Sequence, residues 1–311
     1  MKKLYRKDGL LIKIYKKDGF LKKFLMFLYK IGGYIMTQFW KIGNYKKGRK
    51  YMFLPFGIGD ILFIICYKDY FYDENTYFII NANQKSILKM YDIPDSNIIV
   101  ISEFWKLMLI GRCMASNFQN EDIIYAHHHR RILPCKKLNE NILGYKGITL
   151  LDLNKLVLGI TPNAAIKKPK NILDKNTKNK ILEEYKFKKQ KKNILLCPYA
   201  TSSMPIDSSI WENLVNDYRK KGYNVYTNTR DKTEAPLDGT VALSLKLDHL
   251  YGIIDQFEGV YSLRSGLCDL LAFSDVNLTV YYPSIDDDPI YLFHNFKNIG
   301  INDNIKEIIC E

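Results

Sequence analysis

Hydrophobic positions in this chain fall into short blocks, separated by polar and glycine-containing breaks. Residues 51–55 form an apolar run that ends at Gly57-Ile58-Gly59-Asp60, and a second apolar run, 61–67, follows at once. Strand, glycine turn and helix are the elements this pattern predicts, the opening unit of a doubly wound α/β domain. Strand-like runs at 77–80, 98–101 and 122–125, with helical stretches between them, extend the prediction to a parallel sheet.

The second half repeats the alternation more legibly. A buried strand is predicted at 193–197, a helix from Ser209 to about Lys221, and a strand at 224–227. Ser209 with Glu212 three residues on has the spacing of a capping box, and Gly222 suits the helix end. A helix at 247–257, a strand at 259–263, a helix at 265–273 and a strand at 276–282 follow, closed by Pro283. The lysine-rich, proline-marked stretch between the halves reads as a linker at 166–192. The domains expected are therefore 51–165 and 193–311, preceded by a distinct segment at 1–50.

That N-terminal segment contains an imperfect decapeptide duplication (4–13 and 14–23), too few copies for a repeat fold. Phe20, Phe24, Phe27, Leu28 and Ile31 recur near helical spacing. They predict an amphipathic membrane-surface stretch, or else ordinary helices or a hairpin packed on the first domain. Charge sharpens the choice. The net charge is +13, and residues 1–50 carry thirteen Lys and two Arg against Asp8 and Asp18. The other 261 residues hold 31 basic and 31 acidic side chains. A nucleic-acid-binding body would carry its own basic face, so nucleic acid is not an expected partner. Basic and aromatic residues together suit an anionic membrane surface. No apolar run reaches the roughly 18–20 residues of a membrane span, and no signal-peptide pattern is present. The expected location is cytoplasmic, peripheral on the inner face of the membrane. The six cysteines lack metal or disulfide spacing and read as free buried thiols.

Several residues carry candidate chemistry. Gly57 and Gly59 would permit a sharp turn and close backbone approach to a ligand. Asp60 opens a helix and reads either as its cap or as a general base. His127-His128-His129 follow the 122–125 run, and one of them, His127 or His129, is a candidate acceptor contact. Tyr199-Ala200-Thr201-Ser202-Ser203 lies just past a strand end, where open α/β sheets bind ligands. Arg264-Ser265-Gly266 joins another strand to a helix, an arrangement that suits an anion, with Arg264 as a bidentate phosphate partner. Asp286-Asp287-Asp288 reads as a solvated loop, and neither metal nor cofactor is expected.

The order of these features resembles the heptosyltransferase-like glycosyltransferases, which have the GT-B fold. Gly59-Asp60 matches that family's Gly-Asp turn. Pro198-Tyr199-Ala200-Thr201-Ser202-Ser203, Pro205 and Trp211 look like its Pro-Gly-Ala-Ser loop and Trp-containing helix. Arg264-Ser265-Gly266-Leu267-Cys268-Asp269-Leu270-Leu271 occupies the place of its Asp-Ser-Gly-Leu-x-His-Leu-Ala motif. The resemblance implies two Rossmann-like domains with parallel sheets facing a cleft, and inverting, metal-independent transfer from a nucleotide sugar to a glycan or lipid-linked acceptor. It makes Asp60 the base. Thr201, Ser202, Ser203, Arg264, Ser265, Gly266 and Leu267 become the diphosphate site, with Tyr199, Thr227 and Asn228 near the nucleoside. Arg264 and Asp269 stand where the family has Asp and His, so ADP-heptose is not carried over as donor. Rival expectations are a pyruvyl- or other group transferase on surface polysaccharide, and a non-catalytic scaffold of the same fold.

Overall fold

The structure, a computed structural model, describes residues 19–54, 57–103, 105–107, 109–111, 122–126, 148–188, 192–201, 203–230, 233–283, 295–301 and 305–310. The chain divides into two compact units. One comprises Met1–Pro55, Asn75–Asn81 and Ile99–Tyr125; the other comprises Phe56–Glu74, Ala82–Ile98 and Ala126–Glu311.

In the first unit, helix α1 (Gly19–Asn44) leads into strand β1 (Lys50–Phe53). Strands β2 (Thr76–Ile80), β3 (Ile98–Val100) and β4 (Ile123–Tyr125) complete a sheet in the order β3-β2-β1-β4, and β1 is parallel to both β2 and β4. Of the N-terminal segment, the described part from residue 19 forms one long helix that runs through Gly32 and Gly33 to Asn44. Its C-terminal end is fixed by aromatic packing. Trp40 meets the rings of Tyr51 and Phe53 edge-on at 5.5 and 5.2 Å. The Tyr51 hydroxyl donates to the Asn44 carbonyl and accepts from the Lys46 amide, each at 2.8 Å. Gly33, Thr37 and Trp40 are buried, whereas Ile31, Tyr34, Ile35 and Phe39 are exposed. These two sets lie on opposite sides of a 3.6-residue helix.

The second unit begins with helices α2 (Ile58–Ile65), α3 (Lys85–Met90), α4 (Leu150–Leu158) and α5 (Lys175–Glu184). Its sheet is built from β5 (Asn193–Cys197), β6 (Asn224–Asn228), β7 (Val241–Leu243), β8 (Gly259–Leu263), β9 (Asn277–Tyr282) and β10 (Lys306–Ile309). They alternate with α6 (Ser208–Lys220), α7 (Leu247–Gly252), α8 (Gly266–Leu271) and α9 (Phe296–Ile299). The strand order is β10-β9-β8-β5-β6-β7, parallel throughout. Counted along the unit, this is the doubly wound order 3-2-1-4-5-6, whose topological switch point lies between β5 and β8. Ile194, Leu196, Val225, Leu263 and Tyr281 pack against Trp211 and Val215 of α6 to form a core. Trp211 is nearly buried and T-stacks on Tyr281 at 5.4 Å.

The predicted strands at 193–197 and 259–263 match β5 and β8; β5 is buried throughout and β8 at every position but Tyr261. Two local expectations are corrected. The helix near residue 209 is capped by Asp207, whose carboxylate accepts from the Ser209 amide at 2.8 Å; the Ser209–Glu212 box does not form. The backbone turns helical at Ser208, which leaves Asp207 at the cap position. The helix expected over 247–257 stops at Gly252, where it packs so closely on Leu173 that a β-carbon would lie 2.8 Å from its Cδ2. The short edge strands β7 and β10 have no matching expectation.

Candidate active site

The loops that follow β5 and β8 emerge side by side at the switch point, since Cys197 is the register partner of Ser262. After β5, Tyr199 and Thr201 are exposed, and the Tyr199 hydroxyl donates to the Ala235 carbonyl. The Ser203 Oγ is enclosed and has no hydrogen-bond partner among the described residues. Such an unmatched hydroxyl costs about 1–3 kcal/mol. Ser202 lies outside the described residues.

Arg230, not among the residues expected at the site, joins this loop from just beyond β6: its Nη2 donates to Thr201 Oγ1 at 3.0 Å. Its sequence signal is a cation three residues past the predicted strand end at 227. Thr227 is fully buried, and its hydroxyl pairs with Thr240 Oγ1 at 2.6 Å. Asn228, at the end of β6, is partly exposed.

The β8–α8 connection behaves differently from the expectation of an open phosphate clamp. Ser265 is extended, and Ser265, Gly266 and Leu267 are partly exposed. Arg264 turns inward. Its Nη2 is 2.7 Å from Asp269 Oδ1, with both side chains 5% exposed. Its Nη1 donates to the Ser265 carbonyl at 2.7 Å, and its guanidinium lies 5.2 Å from the centre of the Phe296 ring. Helix α8 has only six residues, four of them buried, so its macrodipole is a smaller source of anion attraction than the predicted longer helix.

Asp60 lies in the first turn of α2, half-buried. Its carboxyl is pushed up to about 6, first by loss of water on burial and then by the Asp269 carboxylate; the Gly57 amide and Arg264 pull the other way. A carboxyl poised there can accept a proton near neutral pH, as a general base must. Asp269 is likewise raised by burial, against the pull of Arg264.

The glycines beside Asp60 serve a different purpose from the predicted turn. Gly57 has φ −64° and ψ 172°, and a β-carbon there would meet only Asp60 Oδ2, at 3.7 Å. Gly59 is buried inside α2 and lies directly against Asp269, whose Cγ would be 2.8 Å from any β-carbon. Gly266 answers from α8: a β-carbon on it would be 3.1 Å from Ile58 Cβ. The first turns of α2 and α8 therefore touch through glycines, which brings Asp60, Arg264 and Asp269 into one cluster. His127, His129 and the 286–288 carboxylates lie outside the described residues.

No family model matches the chain, and no curated protein matches its sequence. Solved structures do. A glycosyl transferase family 9 protein from Veillonella parvula DSM 2008 aligns with TM-score 0.55 at 11% identity, covering 86% of each chain. The ADP-heptose lps heptosyltransferase II of E. coli aligns with TM-score 0.56 at 12% identity, over 84% of this chain and 90% of that one. A further E. coli heptosyltransferase, determined with ADP, gives 0.52 at 12% identity over 85% and 93%. Similarity at this identity is similarity of architecture: the chain has the two-sheet α/β fold, of GT-B type, that these heptosyltransferases have.

Proposed function

We propose that this protein is a glycosyltransferase that moves a sugar from a nucleotide-sugar donor to a surface-glycan acceptor, inverting the anomeric centre without a metal. The observation that carries the reading is Asp60: a carboxyl held near 6, facing the switch-point loop of a doubly wound sheet. Asp60 takes the proton of the acceptor hydroxyl as that oxygen bonds to the anomeric carbon, and the carbon–oxygen bond to the diphosphate breaks with its electron pair. The backbone amides of Ser265, Gly266 and Leu267, with the hydroxyls of Thr201, Ser202 and Ser203, hold the departing diphosphate. Arg230 supplies an exposed cation beside Thr201. Tyr199 and Asn228 flank the nucleoside, and Gly57, His127 and His129 line the approach of the acceptor. The unmatched Ser203 hydroxyl supports a polar ligand here.

The donor assignment is tested by melting the full chain with ADP, UDP, GDP, CDP and dTDP in turn. One of them, at about 100 times its dissociation constant, should stabilise the fold by about 2.7 kcal/mol. No shift with any of the five would leave a non-catalytic scaffold as the better reading.

The acceptor is proposed to be lipid-linked, reached from an anionic membrane surface on which the enzyme sits from the cytoplasmic side. Among the described residues no helix is long and apolar enough to cross a membrane. The outward face of α1 supports peripheral docking: Ile31, Tyr34, Ile35 and Phe39 are 41, 50, 49 and 73% exposed. They continue in helical register the stripe of Phe20, Phe24, Phe27 and Leu28. The basic excess of residues 1–50 complements anionic lipid, each cation contributing about 1 kcal/mol near the surface. Changing Ile35 and Phe39 together to Ser should weaken binding to phosphatidylglycerol-containing vesicles about tenfold or more. Equal binding of wild type to pure phosphatidylcholine vesicles would count against the electrostatic part.

A further inference from the structure

Asp60, Arg264 and Asp269 form a cluster of two carboxyls and one guanidinium, in which Arg264 and Asp269 are buried and Asp60 is half-buried. Asp269, Ser265 and Phe296 hold the guanidinium from three directions. Asp269 in turn is pressed against Gly59, the residue before Asp60. Burying charges is unfavourable by several kcal/mol per ion unless each is matched, and here a single cation matches Asp269 at 2.7 Å while acting on Asp60 from behind. The charged groups acting on Asp60 are Asp269 from α8 and Arg264 from the β8–α8 connection; the Gly57 amide acts from the entry to its own helix.

We propose that Arg264 and Asp269 are a positioning pair for Asp60, not ligands of the donor: they lock the first turn of α8 onto that of α2 and fix the charge that Asp60 faces. This deepens the reading of Asp60 as the base and rests on it. The pair has two opposing effects. Asp269 disfavours the ionised form of Asp60, whereas Arg264 favours it. Their balance leaves the carboxyl able both to take a proton and to release it near neutral pH.

The test follows the Asp60 carboxyl by 13C NMR through a pH titration of the full chain, alongside calorimetric binding of ADP, UDP and GDP. Asp269→Asn should lower the Asp60 midpoint by about one pH unit, since a like charge is removed. Arg264→Met leaves Asp269 uncompensated and is the variant most prone to misfold. The double variant Arg264→Met/Asp269→Asn, which replaces an ion pair by a neutral pair, is expected to fold. It should titrate near the wild-type midpoint and keep nucleoside-diphosphate affinity within about twofold. An Asp60 midpoint that does not move in Asp269→Asn would overturn the proposal. So would a loss of about tenfold or more in nucleotide affinity in the double variant, which would make Arg264 a phosphate ligand. If the wild type binds none of these three and neither CDP nor dTDP, the donor reading fails while the titration still decides the pair.

Discussion

Asp60→Asn is expected to abolish sugar transfer and, at neutral pH, to make the protein more stable. Loss of a general base slows a reaction by about 10²–10⁴-fold, and the variant keeps the shape of the site. Stability changes for a separate reason. The Asp60 carboxyl has an ordinary value of 3.8 and a folded value of about 6, so ionising it opposes folding. The neutral form's contribution is fully present below the lower value and is lost as pH rises through the upper one. Above it, the fold carries a penalty on the order of 1–3 kcal/mol, reduced from the full shift because the side chain keeps some water. Asparagine is neutral at every pH and escapes that penalty. The melting temperature of the variant should exceed that of wild type by a few degrees at pH 7.5, the scale expected for a chain of this size. The difference should shrink through pH 4 and vanish only below the ordinary value of 3.8. A gain that does not shrink on acidification would have another origin, and retained transfer would remove Asp60 from the chemistry. Stability gained where activity is lost is the pattern of a site held against its own preference.

Gly59→Ala is expected to have the largest effect on folding. A β-carbon at this position would overlap the carboxylate of Asp269, with Cγ only 2.8 Å away. Asp269 cannot swing aside without breaking its ion pair with Arg264, in which both side chains are 5% exposed. Overpacking costs about 1–3 kcal/mol and breaking a buried ion pair about 3–5 kcal/mol, while alanine returns nearly 1 kcal/mol of helix propensity. A net loss of about 3–7 kcal/mol follows where both costs are incurred, a large fraction of the roughly 5–15 kcal/mol that holds an ordinary domain together. Gly57→Ala provides the contrast. Its φ of −64° suits any residue, and its nearest neighbour is at an ordinary 3.7 Å. It should melt within about a degree of wild type. Equal losses in the two variants would show that α2 and α8 do not meet through Gly59.

Much of the architecture is legible without coordinates. The strands at 193–197 and 259–263 announce themselves because each is buried along all or nearly all of its length and bounded by polar residues. The strand at 76–80 is placed nearly as well, for the same reason. Elements whose existence depends on a neighbour were harder. β7 and β10 are edge strands of three and four residues, held by pairing with β6 and β9, and their composition carries little periodic signal. The cap of α6 was misplaced by two residues, because Asp207 and Ser209 both have capping chemistry and only the backbone course chooses between them.

The candidate site shows the same division. Asp60, the 199–203 loop and the 264–267 turn could be selected from the sequence, because each directly follows a predicted strand and carries groups that bind protons or anions. What a side chain at those positions faces is a matter of tertiary contact. Arg264 reads as a phosphate ligand from its own segment, whereas its ion pair with Asp269 and its place over the Phe296 ring are visible only in the fold. Arg230 gains its place only because β5 and β6 run side by side and bring it to Thr201. Gly59 reads as a turn residue and proves to be the contact point of two helices. The sequence by itself determined the alternation of strands and helices, the concentration of charge in the first fifty residues and the positions of the strand-end loops, all of which depend on local periodicity and composition. Only the tertiary structure decided which charges neutralise one another, because burial and Coulomb interaction depend on distances between residues that lie far apart along the chain.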